Sequence, residues 1–410
     1  MKNLIPKRRF EEFKDSDPWE QRKLGELAEF KQGLQVDLDK QSSQKASTNV
    51  RFIRIVDYTQ HTQDLRFIEF NSNLSFVDKN DIVMVRYGAS AGFVGRGIKG
   101  VIANNMFVVT PDNGINKSYL YSFLKMERIY ELLNKSNGSS AMPALNFGAV
   151  SNINIIYPKV KEQIKIGAFF AQLDNLITLH QRKLDKLKET KSAYLSEMFP
   201  KEGEFYPKRR FAGFTDPWEQ RKLGELCIKF TDGDWIESKD QSYEGVRLIQ
   251  TGNVGVTQYL DKSNSQKWIS EETFDRLHCE EIFPGDILIS RLPEPAGRAC
   301  IIPDIGIKMI TAVDCTIVRT KPEVSNKYLV QYLSTENYFK KVNTSLAGGT
   351  RQRVSRSNLS EFIVPMPKDE KEQKRIGLLF ENLDNLITLH QRKLDKLQAL
   401  KQAYLSEMFV

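Results

Sequence analysis

The chain contains itself twice, and this constrains it more than any single motif. Residues 162–199, EQIKIGAFFAQLDNLITLHQRKLDKLKETKSAYLSEMF, return at 372–409 as EQKRIGLLFENLDNLITLHQRKLDKLQALKQAYLSEMF, with 28 of 38 positions identical. The stretch LDNLITLHQRKLDKL is an unbroken match. A second block recurs as PKRRFEEFKDSDPWEQRKLGEL at 6–27 and PKRRFAGFTDPWEQRKLGEL at 207–226. The protein is therefore two copies of one module of about 200 residues.

Between these blocks lie two long stretches, 28–157 and 227–364, that differ almost everywhere yet keep one skeleton. NVRFIRIVDY aligns with GVRLIQTGNV, DIVMVR at 81–86 with DILISR at 286–291, and SYLYSFL at 118–124 with KYLVQYL at 327–333. β-Branched runs bounded by Gly, Asp, Asn and Pro predict strands. The Tyr/Leu/Phe spacing predicts one or two helices per copy, hence mixed α/β domains. Each copy closes with a strand and a proline, NINIIYPK and EFIVPMPK, before the repeated segment starts.

At 410 residues, 40% hydrophobic and 27% charged, the chain can bury sizeable cores, and it has no apolar run long enough to span a bilayer. MKNLIPKRRF lacks the apolar stretch of a secretory signal, so a cytoplasmic address is expected. Sixty Lys and Arg against 52 Asp and Glu leave +8, a mild excess that a polyanion could use but that does not by itself require one. The four cysteines, Cys227, Cys279, Cys300 and Cys315, never fall as C-x-x-C, and His occurs only at 61, 180, 278 and 390. Buried reduced thiols are expected, and no metal site.

In the repeated segment Leu173, Ile177, His180, Leu184, Leu187, Lys191, Tyr194 and Met198 step alternately by four and three, as do Leu383, Ile387, His390, Leu394, Leu397, Lys401, Tyr404 and Met408. This is a heptad seam with charges on the other faces. At 1.5 Å per residue such a helix extends about 57 Å, more than a compact domain needs in its core. Two near-identical helices in one chain bury the same stripe most simply as an antiparallel pair about a pseudo-twofold axis. That register would bring His180 near His390 as seam residues; metal ligation or base chemistry is the other reading.

The order variable domain, repeated helix, variable domain, repeated helix resembles the specificity subunits (HsdS) of type I restriction-modification enzymes. The resemblance rests on WEQRKLGEL at 19–27 and 218–226, on D-I-x-x-x-R with a following Gly at 81–92 and 286–297, and on the proline-EQ-LD entries to the long helices, Pro158 to Asp174 and Pro367 to Asp384. It covers essentially the whole chain. It implies two mixed α/β target-recognition domains joined by two long antiparallel helices, divided as 1–157, 158–200, 201–366 and 367–410. It further implies a non-catalytic subunit in which each variable domain reads half of a split double-stranded DNA site while the helices set the spacing. The implied partners are two modification subunits, which carry S-adenosylmethionine and methylate adenine, and two restriction subunits, which use ATP. No cofactor is expected on this chain.

Arg86 and Arg291 end equivalent strands and open onto glycine-containing loops; Arg there can contact guanine or phosphate, or can pair with a carboxylate to close the loop. The first loop adds Tyr87, Ser90, Arg96 and Lys99 without an acidic residue, and the second adds Arg298 beyond Gly297. AGGTRQRVSRSN at 347–358 offers Arg351, Gln352, Arg353 and Arg356, again without a carboxylate, so its self-repulsion points to phosphate. Its counterpart at 134–146 is Ser-rich with only Lys135, as expected if the two domains read different half-sites.

Catalytic motifs are missing. GRGIKG at 95–100 precedes a strand-like run, not the helix a dinucleotide site needs, and there is no Pro-Pro of an adenine methyltransferase and no G-x-x-x-x-G-K. Trp19 and Trp218, each before an identical EQRKLGEL, cannot encode differing specificity; they suit contact with identical partners or packing of the linker onto the helix. If both domains face one side of a duplex, half-site centres lie about 10 bp apart. A two-headed protein-binding adaptor and a fused methyltransferase-reader are the competing classes.

Overall fold

The structure, a computed structural model, describes residues 4–60, 64–71, 74–135, 144–348 and 352–410. The chain divides into two compact units, one formed by 1–181 with 392–410 and the other by 182–391. Compactness thus groups the chain differently from the four consecutive segments expected. Each unit takes one variable domain and part of both long helices, Val160–Met198 and Glu370–Met408.

The first unit holds a four-stranded antiparallel sheet in the order Ala28–Gln32, Met106–Pro111, Ile82–Val85, Val94–Gly95. Beside it is a smaller sheet of Arg66–Glu69, Asn49–Ile53 and Val101–Ile102, the last pair parallel. The second unit repeats this with Cys227–Asp232, Cys315–Thr320, Ile287–Ser290 and Ala299–Ile301, and extends the smaller sheet to five strands. The aligned runs IVMV and ILIS are central strands, buried at every position, as their unbroken apolar character requires. The Asp of each D-I-x-x-x-R signature caps the turn that feeds its strand: Asp81 accepts from the Asp78 amide and Asp286 from the Phe283 amide.

The constant EQRK blocks are strands too. Glu20–Lys23 pairs antiparallel with Asn154–Tyr157, and Glu219–Lys222 with Ile363–Met366, so identical sequence grips the strand just before each long helix. Trp19 and Trp218 are buried, which decides between the two readings of these residues in favour of packing. Trp19 packs edge-on against Tyr119 at 6.2 Å and Phe409 at 6.5 Å between ring centroids. Trp218 does the same with Tyr328 at 6.0 Å and Phe199 at 6.5 Å. The cores are equivalent, and each is completed by the Phe that ends a repeated helix: Phe409 in the first unit, Phe199 in the second.

Inside each unit the two helices run antiparallel. In the first, Asp174 pairs with Lys401 at 2.5 Å and Phe169 meets Tyr404 at 5.0 Å, while Phe170 reaches Phe409 at 5.7 Å. In the second, Lys191 pairs with Asp384 at 2.5 Å and Phe199 lies 5.9 Å from Phe380. Along the heptad positions Leu173, Leu184, Leu383 and Leu394 are buried, and Ile177, His180, Leu187, Ile387, His390 and Leu397 are half-buried.

Candidate nucleic-acid interface

In both units the residue after the central strand is an arginine, and its backbone is fixed the same way. The Arg86 amide donates to the Asn105 carbonyl at 2.8 Å, and its own carbonyl accepts from Leu145 at 2.8 Å. The Arg291 amide donates to the Asp314 carbonyl at 2.9 Å, and its carbonyl accepts from Val354 at 3.1 Å. Two strands across the sheet, the strand that ends at Gln32 or Asp232 runs into a glycine with no room for a side chain. A Cβ on Gly33 would meet the Ala103 carbonyl at 2.2 Å, and one on Gly233 the Thr311 carbonyl at 2.3 Å. These shared constraints make Gln32 equivalent to Asp232, Asn105 to Asp314, Ala144 to Arg353, and Phe147 to Arg356.

On this common backbone the chemistry diverges. In the first unit Arg86 donates to the Gln32 side chain at 2.7 Å and lies over the rings of Phe147 and Tyr87, at 4.6 and 4.8 Å. The guanidinium is held by an amide, the Leu145 carbonyl at 3.3 Å and two aromatic faces, and among the described residues no carboxylate lies within ion-pair distance of it. In the second unit Arg291 lies 3.5 Å from Asp232 and 3.9 Å from Asp314. Arg353 pairs with Asp314 at 3.2 Å, and Arg356 lies 3.9 Å from Asp232 while donating to the Thr231 hydroxyl at 3.3 Å. Arg291, Arg356, Asp232 and Ser357 line an open cleft of about 530 Å³.

For Arg353 and Arg356 the expectation of no counter-charge is therefore corrected. The compensating carboxylates come from Asp232 and Asp314, at strand ends far away in sequence, which a reading of the loop alone cannot see. Arg291 also departs from an exposed reader. Its side chain is only 10% exposed, and it donates to the Val313 carbonyl at 2.8 Å. Arg298 is corrected more strongly: it donates to the carbonyls of Val254, Leu292, Pro295 and Thr251, at 2.6 to 2.9 Å. With its fork taken up by backbone, and burial lowering its pKa, Arg298 is a loop anchor.

The remaining first-loop residues are not all brought to Arg86. Tyr87 is, through its ring. Ser90 is half-buried in the following turn, where its carbonyl accepts from Phe93. Arg96 stacks on the buried ring of Tyr121 at 4.0 Å and reaches the Ser118 hydroxyl, and exposed Lys99 pairs with Asp78 at 3.0 Å. Gln352 is exposed. Arg351 lies outside the described residues, as does most of 134–146. Sequence reading missed Gln32, Asn105, Phe147, Asp232 and Asp314. For Gln32, Asp232, Asn105 and Asp314 the available signal was an aligned position beside Gly33 and Gly233, or before Met106 and Cys315; Phe147 offered none.

Among the described residues no group of three His, Cys, Asp or Glu is placed to hold a metal ion, and no helix is long and apolar enough to cross a membrane. The family model for the type I restriction modification DNA specificity domain matches the chain twice, at 16–189 and 215–399. The chain belongs to that family. It is 25% identical over 345 residues to the type I restriction enzyme MjaVIII specificity subunit of Methanocaldococcus jannaschii, covering 82% of this chain and 80% of that protein. The MjaIX specificity subunit of the same organism is 21% identical over 311 residues, covering 73% and 70%. The fold matches the crystal structure of the type I restriction-modification S subunit from M. genitalium, with a TM-score of 0.64 at 14% identity over 99% of both chains. The type I family assignment makes this a specificity subunit with a role in DNA sequence selection rather than catalysis.

Proposed function

We propose that the chain reads a bipartite duplex site, one half through each unit, on behalf of a type I restriction-modification complex. The observation that carries this is the pair of equivalent clefts: one backbone frame presents Arg86, Gln32 and Phe147 in the first unit, and Arg291, Asp232, Arg353 and Arg356 in the second. Identical frames with dissimilar side chains are what two half-sites of different sequence need, since phosphate contacts position a reader and differing base-edge contacts specify it. The sites Arg86, Tyr87, Ser90, Arg96, Lys99, Arg351, Gln352, Arg353 and Arg356 remain candidates on this reading, with Arg291 as the buried support of the second cleft.

On the same reading the long helices fix the distance between half-sites and dock two modification subunits, with two restriction subunits joining the assembly. S-adenosylmethionine and ATP then belong to those partners. Methylation-sensitive sequencing of DNA from cells expressing the full complex tests the proposal. One split motif is expected, and exchanging residues 28–157 for those of another specificity subunit is expected to change one half of it only. A change in both halves would overturn the assignment of one half to each unit, whereas duplex binding that is absent or insensitive to salt would favour a protein-binding adaptor.

A further inference from the structure

The second cleft differs from the first by a balanced exchange. Two neutral positions, Ala144 and Phe147, become Arg353 and Arg356, and two amides, Gln32 and Asn105, become Asp232 and Asp314. The arginines are 44% and 46% exposed, whereas the carboxylates are 26% and 24% exposed. The cations are thus the more exposed members, whereas Asp232 ends its strand and Asp314 directly precedes the next. Asp232 is tied down by the Thr316 hydroxyl, which donates to it at 3.0 Å. The outer pairs measure 3.2 and 3.9 Å, and Arg291 lies 3.5 and 3.9 Å from the same two carboxylates. Arg291 also carries a buried Nε with no hydrogen-bond partner, so the cluster is not closed upon itself.

Resting on the DNA-reading assignment, we propose that Asp232 and Asp314 are built-in counter-anions. In the free chain they take the place of phosphate oxygens beside Arg353 and Arg356. Any duplex must draw the two arginines away from them, and this lowers affinity for non-cognate DNA. Binding to arbitrary sequence is almost wholly electrostatic, so a carboxylate that must give up its arginine lowers it directly, while a cognate half-site recovers the difference through base contacts. The two acidic residues thus hold down binding to arbitrary sequence without touching a base, and a cognate half-site binds despite the same cost because its base contacts exceed it.

The test uses the full-length chain and a random-sequence duplex, with anisotropy followed through a salt titration. Asp232→Asn and Asp314→Asn are each expected to tighten non-cognate binding about threefold, the range of an exposed ion pair, and to steepen its salt dependence. The Arg353→Ala, Arg356→Ala double variant should weaken and flatten it. If the double variant weakens binding while neither Asp variant tightens it, the counter-anion idea is overturned and the DNA-reading assignment stands. If the double variant binds like the wild type, the assignment of this cleft to DNA fails first. A changed half-site sequence in either Asp variant would make that carboxylate a base reader and overturn the proposal. Should Asp232→Asn fail to fold, Asp314→Asn and the reciprocal Gln32→Asp, Asn105→Asp variant of the first cleft carry the test. The reciprocal variant is expected to weaken non-cognate binding about threefold or more.

Discussion

Arg9 grips Glu162 through two charge-assisted hydrogen bonds, at 2.8 and 2.7 Å, with both side chains almost wholly out of water. The pair joins the constant PKRRF block to the first turn of a long helix, and Glu162 holds the arginine pKa above its usual value. Arg210 and Glu372 repeat it in the second unit at 2.7 and 2.8 Å. The adjoining glutamines finish the joint: Gln163 accepts from the Asn116 amide and Gln373 from the Ser325 amide, so the EQ signature welds helix to recognition domain.

Removing one partner of such a buried pair strands the other charge. Glu162→Gln and Glu372→Gln should each cost about 3–5 kcal/mol in their own unit, seen as a lowered denaturation midpoint by tryptophan fluorescence. Replacing both partners, Arg9→Met with Glu162→Leu, should recover most of the loss; no recovery would show that the pair does more than neutralise itself.

Phe409 is almost at the chain's end, yet it completes the first unit's aromatic core, within 5.1 Å of Tyr119 and 5.7 Å of Phe170. Phe409→Ala is expected to destabilise the first unit by about 3–5 kcal/mol and leave the second unchanged, and Phe199→Ala the reverse. Differential hydrogen exchange of the two units reads this out, and equal loosening in both variants would contradict it.

Arg51 and Arg247 are equivalent strand residues with different counterparts. Arg51 pairs with the buried Asp57 at 2.7 Å; where the first unit has Asp57, the second has Asn253, which caps Gln250. Buried Arg247 donates to the Leu248 and Lys267 carbonyls, and among the described residues no carboxylate lies within ion-pair distance of it. Arg247→Met should therefore be neutral or stabilising, whereas Asp57→Asn should lose about 2–3 kcal/mol, both measured by urea unfolding.

All four cysteines lie in the second unit, and burial pushes their thiols up, Cys300 and Cys315 to about 12 and Cys279 to about 11. A thiol with a raised folded pKa leaves stability intact below its unfolded value, near 8.5, and removes it as pH climbs toward the folded value. At about pH 8 the native chain should react slowly with a thiol reagent and release its cysteines only on unfolding; rapid labelling of Cys300 or Cys315 would refute this.

Much of the fold was legible because it is periodic or repeated. The heptads of Leu173 to Met198, the apolar strands IVMV and ILIS, and the EQ entries each signal their role through neighbours close in sequence. The candidate site was legible only in part. Arg86 and Arg291 could be placed at strand ends, but nothing local announces that Arg298 will be taken up by four carbonyls, or that Arg353 and Arg356 will meet carboxylates.

The amino-acid sequence by itself determined that there are two copies of one module, that each ends in a long amphipathic helix, and that the copies diverge in their middle stretches, since periodicity and self-identity need no knowledge of distant neighbours. Tertiary structure alone decided that Phe409 closes the first core and Phe199 the second, that Trp19 and Trp218 are buried, and that Asp232 and Asp314 stand beside Arg353 and Arg356. Packing and ion pairing act over a few ångströms of space whatever the separation along the chain, so these pairings exist only once the strands and helices have brought remote residues together.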